Sequence, residues 1–252
     1  MDIFSAAKNG HYDLLQELIN TNPSCIKYRD NNGFTALMHA SKQGNEKIAK
    51  LLIEKGADIY EMDSKGMTAL MISCETGQQG IAEMLFERVS SKKGMNLAHE
   101  NPQTNLKEFI NKTNQDGMTP LILASRGCHE TYVHLLMDYK ADVDLKDNYG
   151  YTALMYACQY GYDLIAKSLI RGQADVNVKT AKGKTCLMLA SECGRENIVE
   201  LLLKEKKLID ERDDEGSTAL SLAFKHGHTN IVQLLRENGA GENETEKNSR
   251  ST

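Results

Sequence analysis

The sequence predicts an all-α solenoid, a protein built from copies of one helix–turn–helix repeat that lean against each other. Three observations support this prediction. The first is a set of glycines that recur 33 residues apart, with a single interval of 51 residues. They are Gly33, Gly66, Gly117, Gly150, Gly183 and Gly216. A fixed period in this range indicates that one supersecondary structure has been copied and stacked.

The second observation is the sequence that follows each of these glycines. Two residues on comes Thr, then a small residue or Pro, and then Leu, as in FTALMHASKQG and YTALMYACQYG. The third observation is a second apolar run in each repeat, such as IAKLL or IVELL, whose spacing is typical of one face of a helix. Each repeat therefore contains two helices that cannot bury their apolar faces without neighbouring repeats.

Local chemistry predicts where the elements of a repeat begin and end. A threonine hydroxyl at the start of the first helix can accept a backbone N–H. These threonines are Thr35, Thr68, Thr119, Thr152, Thr185 and Thr218. A glycine in the left-handed conformation then ends that helix. The glycines in this position are Gly44, Gly77, Gly161, Gly194 and Gly227, and Cys128 replaces the glycine in the fourth repeat. The D-x-x-G stretches that open the repeats predict tight hairpin turns.

These motifs together resemble the ankyrin repeat, whose pattern is close to D-x-x-G-x-T-P-L-H-x-A, followed by I-V-x-x-L-L and G-A-D-V-N. The resemblance covers about residues 1–240 and implies an ankyrin-repeat solenoid of about seven helix–turn–helix units with β-hairpin fingers. The repeats lie at about 1–29, 30–62, 63–113, 114–146, 147–179, 180–212 and 213–240. The histidine of the pattern is replaced by residues such as Met38 and Met71, so we expect apolar packing in its place.

Three segments depart from the regular repeat. The first repeat starts directly in its first helix, where Asp2 can serve as the N-cap. An insert in the third repeat, at about 89–108, is rich in Ser, Lys, Gly and Asn, and we expect a mobile loop there. The polar tail, 241–252, has no apolar residue and is predicted to be disordered.

Composition excludes several classes of protein. The net charge of −5 is unlike that of a sequence-independent nucleic-acid binder, which needs basic residues to neutralise phosphates. The sequence has no run of 18 apolar residues, so no membrane span is predicted. Six cysteines without a C-x-x-C motif indicate free thiols in a reducing compartment. We therefore expect a monomer in the cytoplasm, with no nucleic acid and no membrane as partner; the nucleus remains open as a second compartment.

No catalytic or cofactor motif occurs in the sequence. The phosphate-binding loop, the dinucleotide-binding G-x-G-x-x-G, H-E-x-x-H and G-x-S-x-G are all absent. The pair His226 and His228 has no third ligand nearby in sequence, which makes it a poor metal site. We expect no enzyme activity, no cofactor and no metal.

Stacked repeats align equivalent residues into columns on one concave surface. The column after the turn glycine is apolar in four repeats, which is typical of an interface core. The predicted partner-binding residues are Phe34, Met67, Met118, Arg126, Tyr149, Tyr151, Tyr160 and Lys184. The alternative is that these side chains pack only against the next hairpin.

The predicted function is a non-enzymatic protein–protein interaction module, acting as adaptor, scaffold or inhibitor, that binds a protein or peptide on the concave face. The alternative is a regulatory subunit, or a fragment of a larger multidomain enzyme whose catalytic part lies elsewhere. The resemblance also implies a modification, because LIRGQADVN looks like the context in which asparagine hydroxylases act on ankyrin repeats. Asn177 would be the acceptor, and the alternative is an asparagine that stabilises a turn.

Overall fold

The computed structural model of this protein describes residues 2–90, 102–205 and 209–241. Within those ranges the chain forms α-helices, one 3₁₀ helix and no β-strand. The helices are α1 (Ile3–Asn9), α2 (Tyr12–Thr21), α3 (Ala36–Gln43), α4 (Glu46–Glu54), α5 (Ala69–Thr76), α6 (Gln79–Ser90), α7 (Pro102–Ile110), α8 (Pro120–Arg126), α9 (Glu130–Asp138), α10 (Ala153–Tyr160), α11 (Asp163–Arg171), α12 (Cys186–Glu192), α13 (Glu196–Lys204), α14 (Ala219–Lys225) and α15 (Thr229–Glu237). The 3₁₀ helix is Pro23–Lys27. The prediction of an all-helical repeat structure is confirmed.

The chain divides into two compact bodies, the N-terminal body (Met1–Ala141) and the C-terminal body (Asp142–Thr252). In the N-terminal body the first helices α1, α3, α5 and α8 contact each other in that order, and α2, α4 and α6 form a second layer. In the C-terminal body α10, α12 and α14 form one layer, and α11, α13 and α15 form the other. The apolar core of each body lies between its two layers, as in other helical repeat structures.

The predicted N-caps are confirmed. Each of the threonines named above accepts a hydrogen bond from the backbone N–H three residues later, at 3.2–3.3 Å. At the start of α1, Asp2 Oδ1 accepts the N–H of Ser5 at 2.7 Å. These bonds satisfy N–H groups that the first turn of a helix cannot satisfy internally, so each of these helices begins at a defined residue.

The predicted helix ends are right to within one residue. Gly44, Gly77 and Gly161 cap their helices in the left-handed conformation, with φ between 72° and 84°. In the last two repeats the helix ends one residue earlier, so Gly194 and Gly227 follow the cap with φ of 71° and 75°. In every case glycine supplies the positive φ that the chain needs to leave the helix.

Cys128 carries this positive φ, at 61°, without being a glycine, and its side chain is exposed. A left-handed conformation costs an L-residue roughly 1–2 kcal/mol. Glycine at this position would remove that strain, but it would also raise the conformational entropy of the unfolded chain, which offsets part of the gain. We therefore expect Cys128→Gly to raise the free energy of unfolding by about 0.5–1 kcal/mol, measured by urea denaturation.

The control for this substitution is Cys193→Gly, because Cys193 ends α12 with an ordinary φ of −93°. At Cys193 glycine relieves no backbone strain in the folded state and raises the conformational entropy of the unfolded chain. The free energy of unfolding should therefore fall. A stabilisation of equal size at both cysteines would contradict the assignment of strain to Cys128.

The insert differs from its prediction. Residues 91–101 lie outside the described residues, but the segment predicted as a mobile loop at 89–108 begins within α6 and ends within α7. Helix α7 packs on α6 and buries Phe109 and Ile110, which are 2% and 0% exposed. The edge of Phe109 meets Tyr60 (5.3 Å between ring centroids) and Phe86 (6.3 Å). Helix α7, within which the predicted insert ends, is therefore docked on the core of the N-terminal body through the residues that follow the insert.

The tight turns lie where β-hairpin fingers are predicted, but none of the described residues there is in a strand. Each turn has two backbone hydrogen bonds, such as the Asp30 N–H donating to the Phe34 carbonyl at 3.0 Å and the Gly33 N–H donating to the Asp30 carbonyl at 2.9 Å. The remaining N–H groups bind the side chain that begins the turn, which leaves too few free groups for a ladder of strand pairs. The polar tail beyond Gly241 lies outside the described residues.

Membrane insertion has no support in the helices. Among the described residues, none of the helices combines the length and the apolar character that crossing a bilayer requires.

Candidate functional site

One side chain builds each turn that opens a repeat. In the second repeat, Asp30 Oδ1 accepts the backbone N–H groups of Asn32 (2.8 Å) and Phe34 (2.9 Å). The same pair of bonds recurs at the acceptors Asp63, Asn114, Asp147, Thr180 and Asp213. The residue after the turn glycine therefore takes an equivalent position in each repeat.

Backbone hydrogen bonds join successive turns within each body. In the N-terminal body, Ser64 donates to the Asn32 carbonyl and Gln115 to the Lys65 carbonyl, both at 3.0 Å. In the C-terminal body, Ala181 donates to the Tyr149 carbonyl at 2.9 Å and Asp214 to the Lys182 carbonyl at 3.2 Å. The turns thus form a rigid row, and the side chains on them hold fixed spacings.

A groove of about 460 Å³ lies beside this row in the N-terminal body. Turn residues line one side of it and the first helices α1, α3 and α5 line the other. Phe34, a predicted partner-binding residue, is half-buried in it. The Phe34 ring packs on His39, at 5.2 Å between centroids, and the Lys42 ammonium lies 5.8 Å from its centre.

Two other members of the predicted column are buried. Met67 is 7% exposed and Met118 is 5% exposed, so neither is the exposed anchor that the sequence suggested. The Met67 sulfur accepts an Asn114 amide N–H and the Met118 sulfur accepts an Arg126 N–H, both at 3.4 Å. Their place in the column is as predicted, but the following turn or helix covers them because the turns lie so close together.

Arg126 is the predicted basic residue of the N-terminal body. Its guanidinium binds Glu75 across adjacent first helices, with 3.0 Å between Nη2 and Oε1. About a third of the Arg126 side chain stays exposed, so the pair lies at the surface and contributes at most about 1 kcal/mol. Arg126 therefore bridges two repeats and remains reachable by a partner.

In the C-terminal body two of the three predicted tyrosines, Tyr151 and Tyr160, belong to a larger aromatic cluster. The rings of Tyr151, Tyr156, Tyr160 and Tyr162 follow one another at 5.1, 6.2 and 5.7 Å between centroids. The Tyr156 hydroxyl donates to Asp147 Oδ2 at 2.7 Å, which fastens the cluster to the turn. Burial raises the pKa of Tyr151, so its hydroxyl stays neutral near pH 7.

Exposure separates the tyrosines into two groups. Tyr149 is 64% exposed and Tyr160 is 42% exposed, whereas Tyr156 is buried and Tyr151 is intermediate. Tyr156 and Tyr162 were not predicted. Tyr156 lies nine residues after Asp147, the same separation as His39 from Asp30. This shared spacing could have predicted from the sequence that Tyr156 bonds to the turn.

Lys184, the last predicted partner-binding residue, is engaged in an ion pair. Its ammonium lies 2.5 Å from Glu192 Oε2, and only about a fifth of the side chain is exposed. A partner would have to compete with Glu192 for this charge. Lys184 therefore stabilises its own repeat and offers less to a ligand than a free lysine would.

The carboxylate of Asp30, which begins the turn of the second repeat, is stabilised in its ionised form by its neighbours. Partial burial by itself would raise the pKa of Asp30, but the N–H groups of Phe34 and Asn32 and the His39 ring outweigh it and lower the pKa. His39 Nε2 lies 2.9 Å from Asp30 Oδ2. The carboxylate is therefore ionised and fully engaged within the turn.

Asn177, the predicted hydroxylation site, lies in a turn of the C-terminal body. Its side-chain amide and its backbone N–H both donate to Asp175 Oδ1, at 2.9 and 3.0 Å. These bonds give the asparagine a role in the turn. Its hydroxylation stays a prediction, which a mass increase of one oxygen on the peptide containing Asn177 would test.

Metal and thiol chemistry have little basis in the described part of the chain. No group of three or more His, Cys, Asp or Glu residues lies close enough there to hold a metal ion. Cys74, Cys158 and Cys186 are fully buried, and burial raises the pKa of Cys158 and keeps its thiol protonated. Such thiols pack as small apolar groups, as the sequence predicted.

The rows of turns and the two helical layers define a helical repeat protein. Comparison with known families identifies the class, because the model described as ankyrin repeats in three copies matches residues 3–98, 94–180 and 163–246. The chain belongs to the ankyrin-repeat family. Repeats of this family generally mediate protein–protein interaction, and the family is typically non-catalytic.

A curated relative is the mouse (Mus musculus) protein named ankyrin repeat and SAM domain-containing protein 6, which is 41% identical over 54 residues. The match covers 21% of this chain and 6% of the mouse protein. The chain thus resembles a small part of that relative.

Proposed function

We propose that this protein binds other proteins or peptides without catalysing a reaction, as an adaptor, scaffold or inhibitor. The observation that carries the proposal is the tyrosine cluster at the turn and helix α10 of the fifth repeat, with the exposed Tyr149 on the same turn. Tyrosines that are anchored at one end and exposed at the other are enriched at interfaces, because they bury a large area at a low cost in conformational entropy.

The finer architecture is part of the same proposal. We infer seven repeats, each with a finger-like turn and a pair of helices, from the pairs α1/α2, α3/α4, α5/α6, α8/α9, α10/α11, α12/α13 and α14/α15. Helix α7 is then an addition to the third repeat. We further propose a monomer that acts in the cytoplasm or nucleus, with no nucleic acid or membrane as partner.

The double substitution Tyr149→Ala and Tyr160→Ala tests the proposal. Both side chains are exposed, so the fold should survive, whereas Tyr151 packs on Tyr156 and its loss would disturb the core. Partners are first identified by pull-down with mass spectrometry, and dissociation constants are then measured by calorimetry. We expect the double variant to bind at least about 30-fold more weakly, which corresponds to about 2 kcal/mol for a central aromatic anchor.

Leu164→Ala is the matched control. Leu164 is 62% exposed and lies on α11, the second helix of the same repeat. It should leave the dissociation constant within about twofold of wild type, since scattered apolar residues outside an interface contribute little. Equal affinity of the double tyrosine variant and the wild type for every partner would refute this surface.

A further inference from the structure

The groove in the N-terminal body carries charges that the fold does not use. Lys8, Lys42 and Lys65 come from three successive repeats, line the groove and are exposed. Among the described residues, none of these ammonium groups has a carboxylate within ion-pair distance or a hydrogen-bond acceptor. Lys42 makes only its approach to the Phe34 ring.

The carboxylates around the same groove are already engaged. Asp30 accepts two backbone N–H groups and faces His39, and Asp63 accepts the N–H groups of Lys65 and Met67. Glu75 is paired with Arg126. Glu75 is therefore paired with a cation, and Oδ1 of Asp30 and of Asp63 is held by backbone N–H groups of the turn. No carboxylate among the described residues pairs with the three lysines, which leaves their ammonium groups accessible to a ligand.

Two of the three lysines hold equivalent positions on neighbouring helices, and Lys65 lies on the turn of the next repeat. Lys8 and Lys42 occupy the same place in consecutive repeats, two residues before the glycine that ends or follows the first helix. Helices packed side by side have axes about 8–10 Å apart. A peptide in the polyproline II conformation rises about 3.1 Å per residue with three residues per turn, so acidic side chains three residues apart lie on one face and about 9 Å apart, which matches this spacing.

The turn row offers side chains but few free backbone groups. The Asn32 carbonyl already accepts the Ser64 N–H, and the Lys65 carbonyl accepts the Gln115 N–H. A peptide therefore cannot add itself as a strand along this row, and recognition depends on the lysines and on the half-buried ring of Phe34. An acidic peptide that also carries an apolar side chain satisfies both.

We propose that the groove lined by Lys8, Lys42 and Lys65 binds an acidic peptide segment with carboxylates about three residues apart. This inference rests on the proposed protein-binding function and names the chemistry of a partner for the N-terminal body. Nucleic acid is the less favourable ligand, because three lysines on a chain of net charge −5 provide little phosphate neutralisation.

The experiment uses the full chain and a fluorescein-labelled synthetic peptide of Gly, Ser and one central Leu that carries four Glu residues three positions apart. The comparison probes are the same peptide with Gln at those four positions, the same peptide with phosphoserine there, and a single-stranded oligonucleotide. Binding is measured by fluorescence anisotropy in 50 and 300 mM NaCl. We expect the Glu peptide to bind, its affinity to fall with salt, and the Gln peptide to bind at least tenfold more weakly.

The variant with Lys42→Glu and Lys65→Glu should bind the Glu peptide at least tenfold more weakly. Its matched control is Lys182→Glu with Lys225→Glu, which makes the same charge change at equivalent positions of the C-terminal body. The control should bind within about twofold of wild type. Equal weakening in both variants would mean a general charge effect and would overturn the proposal.

The other outcomes are also decisive. Equal binding of the Glu and Gln peptides, or a preference for the phosphoserine peptide or the oligonucleotide, would overturn the proposal in favour of an apolar, phosphorylated or nucleic-acid ligand. The variant Tyr149→Ala with Tyr160→Ala separates the two proposals. If it loses its protein partner while the Glu peptide never binds the wild type, the protein-binding function stands and the acidic ligand is wrong.

Discussion

Replacing Phe109 by alanine will lower the free energy of unfolding of the N-terminal body by about 3–5 kcal/mol, the range found for buried phenylalanines. Phe109 is 2% exposed and is the main contact through which α7 reaches Tyr60 and Phe86. Phe86 in turn stacks on Tyr139, with 4.3 Å between centroids. The substitution leaves a cavity beside the rings of Tyr60 and Phe86 and weakens the packing of α7 on α6.

Hydrogen exchange measures this prediction segment by segment, which suits a repeat protein that need not unfold in one step. Amides of α6 and α7 should lose protection in Phe109→Ala while those of α12 and α13 keep it. The control is Phe224→Ala, because Phe224 is 49% exposed and its loss should cost less than about 1 kcal/mol. Unchanged protection of α7 in the Phe109 variant would show that α7 is not docked.

Replacing Gly150 by alanine will destabilise the C-terminal body by more than about 2 kcal/mol. Gly150 has a φ of +78°, which costs an alanine roughly 1–2 kcal/mol by itself. An added Cβ would also lie 2.6 Å from the Ala181 nitrogen, whose N–H donates to the Tyr149 carbonyl. The next turn would have to move away, and the hydrogen bond between the turns would weaken.

Gly216→Ala separates the two costs. Gly216 has nearly the same φ, +79°, but nothing lies within 4 Å of its added Cβ. Its substitution should therefore cost only the backbone strain of about 1–2 kcal/mol. Urea denaturation of both variants measures the difference between their free energies of unfolding. That difference is the cost of the steric clash between the added Cβ of residue 150 and the next turn. Equal losses at the two glycines would show that the turns tolerate separation.

Elements that depend on neighbouring residues in the sequence were predicted well. The six N-capping threonines and Asp2 bind the N–H groups that the sequence assigned to them, since a cap needs only a hydroxyl or carboxylate at the right position. The end of the insert was predicted as a loop and is helix α7. Pro102 at the first helical position and the apolar residues Leu106, Phe109 and Ile110 were the signals overlooked.

The candidate site was predicted in outline only. The column after the turn glycine was aligned correctly, yet Met67 and Met118 are buried while Tyr149, outside that column, is the most exposed tyrosine of its repeat. Whether a side chain is covered depends on contacts made in three dimensions: Met67 meets Asn114 of the next turn, 47 residues away, and Met118 meets Arg126 of its own repeat's first helix, eight residues away. The ion-pair partners of the lysines were equally hard to predict from the sequence. Lys184 forms an ion pair with Glu192, whereas Lys42 has no carboxylate partner among the described residues.

The sequence by itself determined the period, the class of repeat and the boundaries of most helices. These follow from backbone hydrogen bonding and apolar spacing within some 33 residues. Only the tertiary structure decided that α7 joins the core, which column members stay exposed, and which lysines keep an uncompensated charge. Those outcomes depend on close packing between repeats, where a neighbour one turn away either covers a side chain or leaves it free.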